Sequence, residues 1–331
     1  MLRFLITRAL GAVGVLLTLV TVVFVLQTAV PGDPVRASVG VNASDEVVTR
    51  ERERLGLDKP LPAQYVSYLG QAAQGRFGES LRTGRDVRDD IGAFLPATIE
   101  LASFSIVLAA AGGLLIGILA VASSRFAALA RLLFVGGASV PSFLLALILI
   151  YIFYFKLSWL PLSGRTSVAS APQGPTGLLL ADSLLHGRID AFADAVRHLI
   201  LPATALALVP AVAIGRVLRS SLIDVYRADY IRTLHAKGLS PRSILWGHAL
   251  RNALSAPLTM AGLQLGLLLG GVVIVEAIFA WPGIGLYLNQ SIAFGDLRAI
   301  AGVTLVVGAG YVVVNSIVDL AQAAADPRIR P

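Results

Sequence analysis

The sequence predicts an all-α membrane protein with six transmembrane helices, and three observations carry that prediction. Only 14% of the 331 residues are charged, where an ordinary soluble domain carries about 25%. Mean hydropathy is +0.77. The charges also leave six windows without Asp, Glu, Lys or Arg: 9–32, 101–124, 132–155, 198–215, 252–275 and 299–318. A bilayer-spanning helix needs about 20 mainly apolar residues, and a charge at its centre costs about 2.5–3.5 kcal/mol. A soluble core would instead need long helices that are apolar on every face.

Residues 1–32 read as a cytoplasmic N-terminus and span 1. Arg3 and Arg8 precede an apolar run longer than a signal-peptide core, without a clear small-residue cleavage site, so a retained helix is expected. Residues 33–95 carry nine basic and ten acidic residues and read as a small extracytoplasmic domain. A helix is expected over about 45–55, with Asp45 and Glu46 in its first turn and Gly56 as its stop. A second should run from Pro62 to about Ala73. In a third, Val87, Ile91, Phe94 and Leu95 share one face and lead into span 2.

Residues 96–331 read as a five-helix membrane core with a cytoplasmic loop at 221–251. Arg125 and Arg131 mark the turn between spans 2 and 3. Residues 158–177, rich in Ser, Gly and Pro, predict irregular chain, and 178–194 a short interfacial helix. Residues 277–295 lack charge, but Trp281-Pro282-Gly283 interrupts them, which predicts an outer loop with a partly re-entrant start. Between Arg216 and Arg251 there are seven basic residues and two acids, Asp224 and Asp229; Arg328 and Arg330 follow span 6. Alternate loops are therefore basic, which predicts both termini and the 216–251 segment on the cytoplasmic side of a cell membrane. The net charge of +7 reflects this bias rather than nucleic-acid binding.

Residues 219–257 form a polar island between two apolar segments. Span 4 should continue as a helix to 237 and stop at Gly238, with Lys237 in the last turn. Ser240-Pro241 should cap and start a second helix over about 241–254. The tip would expose Thr233, Ala236, Lys237, Leu239 and Ser240. Such a tip is either a knob for another protein's groove or an ordinary solvated loop.

Glu276 either lines an outer translocation mouth with Trp281, Pro282 and Gly283 or satisfies backbone groups freed by the Pro-Gly break. Glu100 and Asp319 stand near span ends, and Trp159, Trp281 and Tyr287 are expected as interface anchors. The pairs Gly112-Gly113, with Gly117, and Gly136-Gly137 suit close helix packing. His186, His198, His235 and His248 contain no i, i+4 pair, and there is no cysteine, so no metal site is expected. An intramembrane serine protease would need a Gly-x-Ser-Gly context. Gly136-Gly137-Ala138-Ser139 and Leu162-Ser163-Gly164 do not supply it. Charge-free spans and the lack of an internal repeat disfavour a stand-alone ion-driven transporter.

The string DYIRTLHAKGLS (229–240), followed by HALRNAL (248–254), resembles the membrane subunits of ATP-binding-cassette (ABC) importers, in their dipeptide/oligopeptide branch. The general signature of those subunits, Glu-Ala-Ala-x-x-x-Gly, falls on Arg232-Thr233-Leu234 and keeps only Gly238; Leu234 replaces an alanine of the branch pattern. Further matches are PGDP (31–34), GLDKPLPAQYVSYL (56–69), LPATIELA (95–102), VPSFLLA (140–146) and VEAIFAWPGIG (275–285). The 156–197 loop is the least family-like region.

The resemblance implies the first of two non-identical permease subunits, and a peptide cargo, with nickel, glutathione or a sugar as alternatives within the branch. It implies a coupling helix made of Asp229, Tyr230, Arg232, Thr233, Ala236, Lys237, Gly238, Leu239 and Ser240. It also implies as partners a second permease subunit, two cytoplasmic ATPases and an extracytoplasmic substrate-binding protein. The chain has no GxxxxGK[ST] loop, so ATP and Mg²⁺ would be bound by the ATPases and this chain would hold no cofactor and no catalytic residue.

Overall fold

The computed structural model describes residues 2–29, 35–36, 43–54, 56–122, 124–172 and 174–325. PGDP (31–34), Arg328 and Arg330, and the side chains of Arg3 and Asp319, lie outside that description. The described chain runs α1 (Leu2–Ala29), α2 (Asp45–Arg54), α3 (Leu61–Ala73), α4 (Val87–Ala122), α5 (Ser124–Ser139) and α6 (Ser142–Leu149). A π-helical stretch, Ile150–Lys156, extends α6. Then follow α7 (Leu179–Leu185), α8 (Ile189–Tyr226), α9 (Asp229–Ala236) and α10 (Pro241–Ile244). A π-helical turn, Leu245–Ala249, joins α10 to α11 (Leu250–Ala253). The last helices are α12 (Ser255–Ile278), α13 (Ile284–Phe294) and α14 (Leu297–Ala325). The described residues form no sheet, only an isolated bridge between Glu79 and Asp86.

This is an all-α, multi-pass membrane protein. Five stretches are long and apolar enough to cross a membrane: Ile6–Ala29, Val87–Ala122, Ile189–Tyr226, Ser255–Ile278 and Leu297–Val318. A sixth counts only if Arg125–Gly137 and Ser142–Lys156, bent by 115°, form one span. The charge-free window 132–155 therefore straddles a break. Pro141 explains it: the residue offers no N–H to the helix ladder, and its ring excludes the carbonyl four residues back.

The chain divides into two compact units. In the unit of Leu2–Phe94 and Tyr287–Val312, α1 packs on α3. The Phe24 ring lies 5.3 Å from Tyr65 and 5.5 Å from Tyr68, and Thr21 Oγ1 is 2.6 Å from the Tyr65 hydroxyl. Helix α2 starts on Asp45 and Glu46 as expected, and Gly56 turns the chain at φ +66°.

The second unit comprises Leu95–Leu286 and the segment from Val313. Its central helix is α8: 72% of its apolar window is buried, against 33% for α12. Small residues bring α4 onto it. A Cβ added at Gly113 would stand 2.8 Å from the Ala211 carbonyl oxygen, and one at Gly117 would stand 3.0 Å from that of Gly215. Backbones meeting at such distances leave no room for a methyl group.

Four sequence expectations are corrected here. The helix containing span 4 ends at Tyr226, not at 237, because Ala228 is extended (ψ 143°) and Asp229 opens a new helix. Residues 284–294 are helical rather than loop. The 178–194 region is split between α7 and the first turns of α8. Trp281 and Tyr287 are 1% and 0% exposed, so neither is an interface anchor.

Candidate functional site

The polar island folds as a helix–turn–helix, and its geometry follows from five residues. Helix α9 closes with a Schellman turn: Gly238 N–H donates to the His235 carbonyl at 2.9 Å and Leu239 N–H to the Leu234 carbonyl at 3.3 Å. That turn puts Gly238 at φ +78°, a conformation costly for any residue with a Cβ. A Schellman turn is often accompanied by an apolar contact across it. Here Leu234 and Leu239 both pack against the cluster of Leu218, Leu222, Ile231 and Ile244. Leu239 is therefore half-buried rather than displayed at the tip, which corrects one expectation and gives Leu234 a reason for its bulk. Two residues on, the Ser240 hydroxyl accepts from Ser243 N–H and Pro241 takes the first helical position.

Ile231 pins α9 from below at 2% exposure, while Asp229, Tyr230, Arg232, Thr233, Ala236, Lys237, Gly238 and Ser240 are exposed. The Arg232–Asp229 pair, 3.6 Å apart and open to solvent, adds little stability. One side-chain hydrogen bond ties α9 to the following helices: Asn252 Nδ2 donates to the Tyr230 hydroxyl at 2.9 Å. Asn252 also lines a cavity of about 520 Å³ with Ser221, Ser255 and Thr259.

The second constellation surrounds Glu276. Helix α12 ends in another Schellman turn, with Trp281 N–H donating to the Glu276 carbonyl and Ala280 at φ +45° where glycine is usual. The turn lets the chain reverse beneath its own last carboxylate. Glu276, fully buried, accepts from Gly285 N–H at 2.7 Å, Leu286 N–H at 3.2 Å and the Thr98 hydroxyl at 2.6 Å. Thr98 Oγ1 in turn accepts from Ile284 N–H at 2.8 Å. The first three N–H groups of α13 are thus capped from outside the helix, and the carboxylate sits where a helix dipole favours negative charge. The Trp281 indole N–H donates to the Ala97 carbonyl at 2.9 Å, and a Cβ on Gly283 would lie 2.2 Å from Glu276 Oε1.

Sequence reasoning missed a third cluster, in the unit of Leu2–Phe94 and Tyr287–Val312. Tyr287 donates to Asp90 Oδ2 at 3.0 Å, stacks on Phe94 at 5.1 Å and lies under the Arg82 guanidinium. Burial pushes its phenol up to about 12, so it stays a donor at neutral pH. Asp296 takes the Ser80 hydroxyl at 2.6 Å and caps α14 through Ala299 N–H. Asp90 was findable: it stands three residues after Val87 and four before Phe94, inside an apolar stripe. Glu100, placed near a span end from sequence, is buried and pairs with Arg165 at 2.5 Å. Among the described residues no three metal-ligating side chains come together.

Residues 111–331 match the family described as binding-protein-dependent transport system inner membrane component. Residues 1–102 match the N-terminal part of a binding-protein-dependent transport system membrane component. The chain belongs to this family. It is the membrane permease subunit of an ABC-type importer, and ATP hydrolysis resides in partner subunits. Its relatives include the di/tripeptide transport system permease protein DppB of Pseudomonas aeruginosa, 43% identical over 93% of this chain and 92% of that one. The dipeptide transport system permease protein DppB of Alkalihalophilus pseudofirmus is 39% identical over the full length of both. The glutathione transport system permease protein GsiC of Escherichia coli is 36% identical over 100% of this chain and 99% of its own.

Proposed function

We propose that this permease subunit imports di- and oligopeptides across the cytoplasmic membrane. It crosses the membrane six times, counting the bent 125–156 segment as one span, with both termini and the 221–251 loop in the cytoplasm. The exposed tip at Gly238, standing between two membrane-length helices in a strongly basic segment, is the observation that carries this reading. Asp229, Tyr230, Arg232, Thr233, Ala236, Lys237, Gly238 and Ser240 seat in a groove of one ATPase subunit, with Leu239 fixing the turn from behind. Two ATPases bind ATP and Mg²⁺, a second permease subunit completes the pore, and an extracytoplasmic binding protein delivers cargo to the outer loops. Closure of the ATPases moves α9 as a rigid body and rocks the spans. The turn at Trp281, Pro282 and Gly283 stands at the outer mouth, and Glu276 there holds backbone rather than cargo.

The peptide assignment is supported by the relatives named for di/tripeptide and dipeptide transport. Glutathione is the second reading, from the full-length match to that permease. Purification of the tagged chain should bring down a second permease and two ATPases. Vesicles with the whole complex should take up labelled dipeptide only with ATP. Uptake of Ni²⁺ or glutathione in place of dipeptide, or uptake without nucleotide, would refute the assignment.

The Tyr230–Asn252 bond offers a finer test. Both groups are exposed, so Tyr230→Phe should cost below about 1 kcal/mol of stability. If the bond transmits motion from α9, dipeptide moved per ATP hydrolysed should fall several-fold in that variant. An unchanged ratio would remove Tyr230 from the coupling path.

A further inference from the structure

A pocket of about 470 Å³ opens beside the end of the π-helical stretch, and the proposed import function makes no use of it. Tyr154, Phe155, Trp159, Asp194, Arg197 and His198 line it. All of them lie in the unit of Leu95–Leu286. Its level is fixed by charge. The run from Ser142 is free of charge until Lys156, and α8 is free of charge from His198 to Gly215, after Asp190, Asp194 and Arg197. The pocket therefore sits where two apolar segments leave the hydrocarbon, the depth at which Trp and Tyr concentrate. Trp159 and Phe155 are 61% and 65% exposed.

The lining groups differ sharply in what they leave available. The Asp194 carboxylate is saturated: the Thr166 hydroxyl, Ser167 N–H and the Ser167 hydroxyl all donate to it at 2.7 Å. Arg197 donates through Nη2 to the Trp159 carbonyl at 2.9 Å and forms no ion pair among the described residues. No carboxylate among the described residues stands within ion-pair distance of it, and Asp194, which shares the pocket, is engaged by Thr166 and Ser167. His198 Nδ1 lies 2.9 Å from the Asp194 carbonyl oxygen and 3.5 Å from Asp194 Oδ2. Both are acceptors, so Nδ1 carries a proton, and in the neutral imidazole Nε2 presents a lone pair. No described protein group bonds that nitrogen, although the side chain is only 5% exposed. The wall is also held under strain: Ser158 adopts φ +51° two residues after the end of the seven-residue π-helix. Both features concentrate at functional sites.

We propose that this pocket binds a phospholipid headgroup. The phosphate pairs with Arg197, and a hydrogen-bond donor on the headgroup, an ethanolamine ammonium or a glycerol hydroxyl, bonds His198 Nε2. The acyl chains run along the exposed apolar face of Ile148, Tyr151, Ile152 and Phe155. A peptide also carries an anion and a donor. The continuity of the pocket with that apolar face selects the lipid.

The test uses the intact importer complex in detergent, titrated with phosphatidylethanolamine, phosphatidylglycerol or phosphatidylcholine of matched chains. Lipids retained are counted by native mass spectrometry. The wild-type complex should retain one ethanolamine or glycerol lipid at least about 10-fold better than the choline lipid, which has no donor for Nε2. Arg197→Gln should lose retention of all three. His198→Ala should keep phosphate binding and lose the discrimination. Phe155→Glu, a substitution at an exposed position that leaves Arg197 and His198 in place, should abolish retention by placing charge in the chain path. It decides the matter if Arg197→Gln fails to fold. Equal retention of the three lipids by the wild type, or full retention by Phe155→Glu, would overturn the proposal. Displacement of the lipid by excess dipeptide would overturn it in favour of a peptide site.

Discussion

Gly238→Val should abolish ATP-driven dipeptide uptake while the chain still inserts, assembles with its partners and resists proteolysis. The effect acts through backbone conformation. A Cβ at Gly238 meets nothing within 4 Å, so the first atom of a side chain there is not crowded. What it opposes is φ +78°, at a cost of about 1–3 kcal/mol for a residue outside its favoured region, more for a β-branched one. The chain escapes that cost by opening the Schellman turn. Opening breaks the Gly238–His235 and Leu239–Leu234 hydrogen bonds and withdraws Leu239 from the cluster around Ile231 and Ile244. The tip moves, and the membrane helices need not.

Gly238→Asn separates conformation from size, since asparagine tolerates the left-handed region. It should retain most of the uptake, and Gly238→Ala should fall between. Uptake and ATPase activity are measured together in proteoliposomes. A transport-competent valine variant would show that the tip is only a solvated loop. Equal failure of asparagine and valine would mean that a partner contacts Gly238 so closely that no side chain fits.

What the sequence made legible followed the physics each signal reports. Absence of charge reports the cost of placing ions in hydrocarbon, and most of each of four windows falls on one long helix: 9–29 on α1, 101–122 on α4, 255–275 on α12 and 299–318 on α14. It does not report straightness, so 132–155 gave no hint of the bend at Pro141 beyond the proline itself. Gly238 and Ser240-Pro241 act through local backbone rules, and both occur as read. The end of α8 at Tyr226 has no comparable local signal: no Gly or Pro marks it, and the clustering of Leu222, Ile231 and Ile244 decides where the helix turns. Hydropathy also misplaced Trp281 and Tyr287. Amphipathic rings suit an interface, but they suit a core equally once the Ala97 carbonyl and Asp90 accept their polar hydrogens. Glu276 was legible as a candidate and not as a cap, because its partners are remote (Thr98) or follow a turn that sequence could not fold (Gly285 and Leu286).

Glu276→Ala should destabilise the protein by about 3 kcal/mol or more, read as a fall in the thermal midpoint of the detergent-solubilised complex. The Thr98 hydroxyl and the Gly285 and Leu286 N–H groups would all lose their acceptor in a buried place, where each unsatisfied group costs about 1–3 kcal/mol. Glu276→Gln retains one acceptor oxygen for the two N–H groups and can donate to Thr98 Oγ1. It loses the charge at the start of α13 and the acceptor of the Thr98 hydroxyl hydrogen, so a loss of about 1–2 kcal/mol is expected, less than for alanine. The close approach of Gly283 supplies an internal check. Gly283→Ala alone should be severe, because its methyl group would stand 2.2 Å from Glu276 Oε1. In the Glu276→Ala background the carboxylate is gone and the same methyl group has room. The two substitutions should therefore be strongly non-additive, the double variant being little worse than Glu276→Ala. Additive losses would mean that Gly283 is required by its own backbone rather than by the carboxylate above it. A wild-type midpoint for Glu276→Ala would mean that α13 does not depend on that cap.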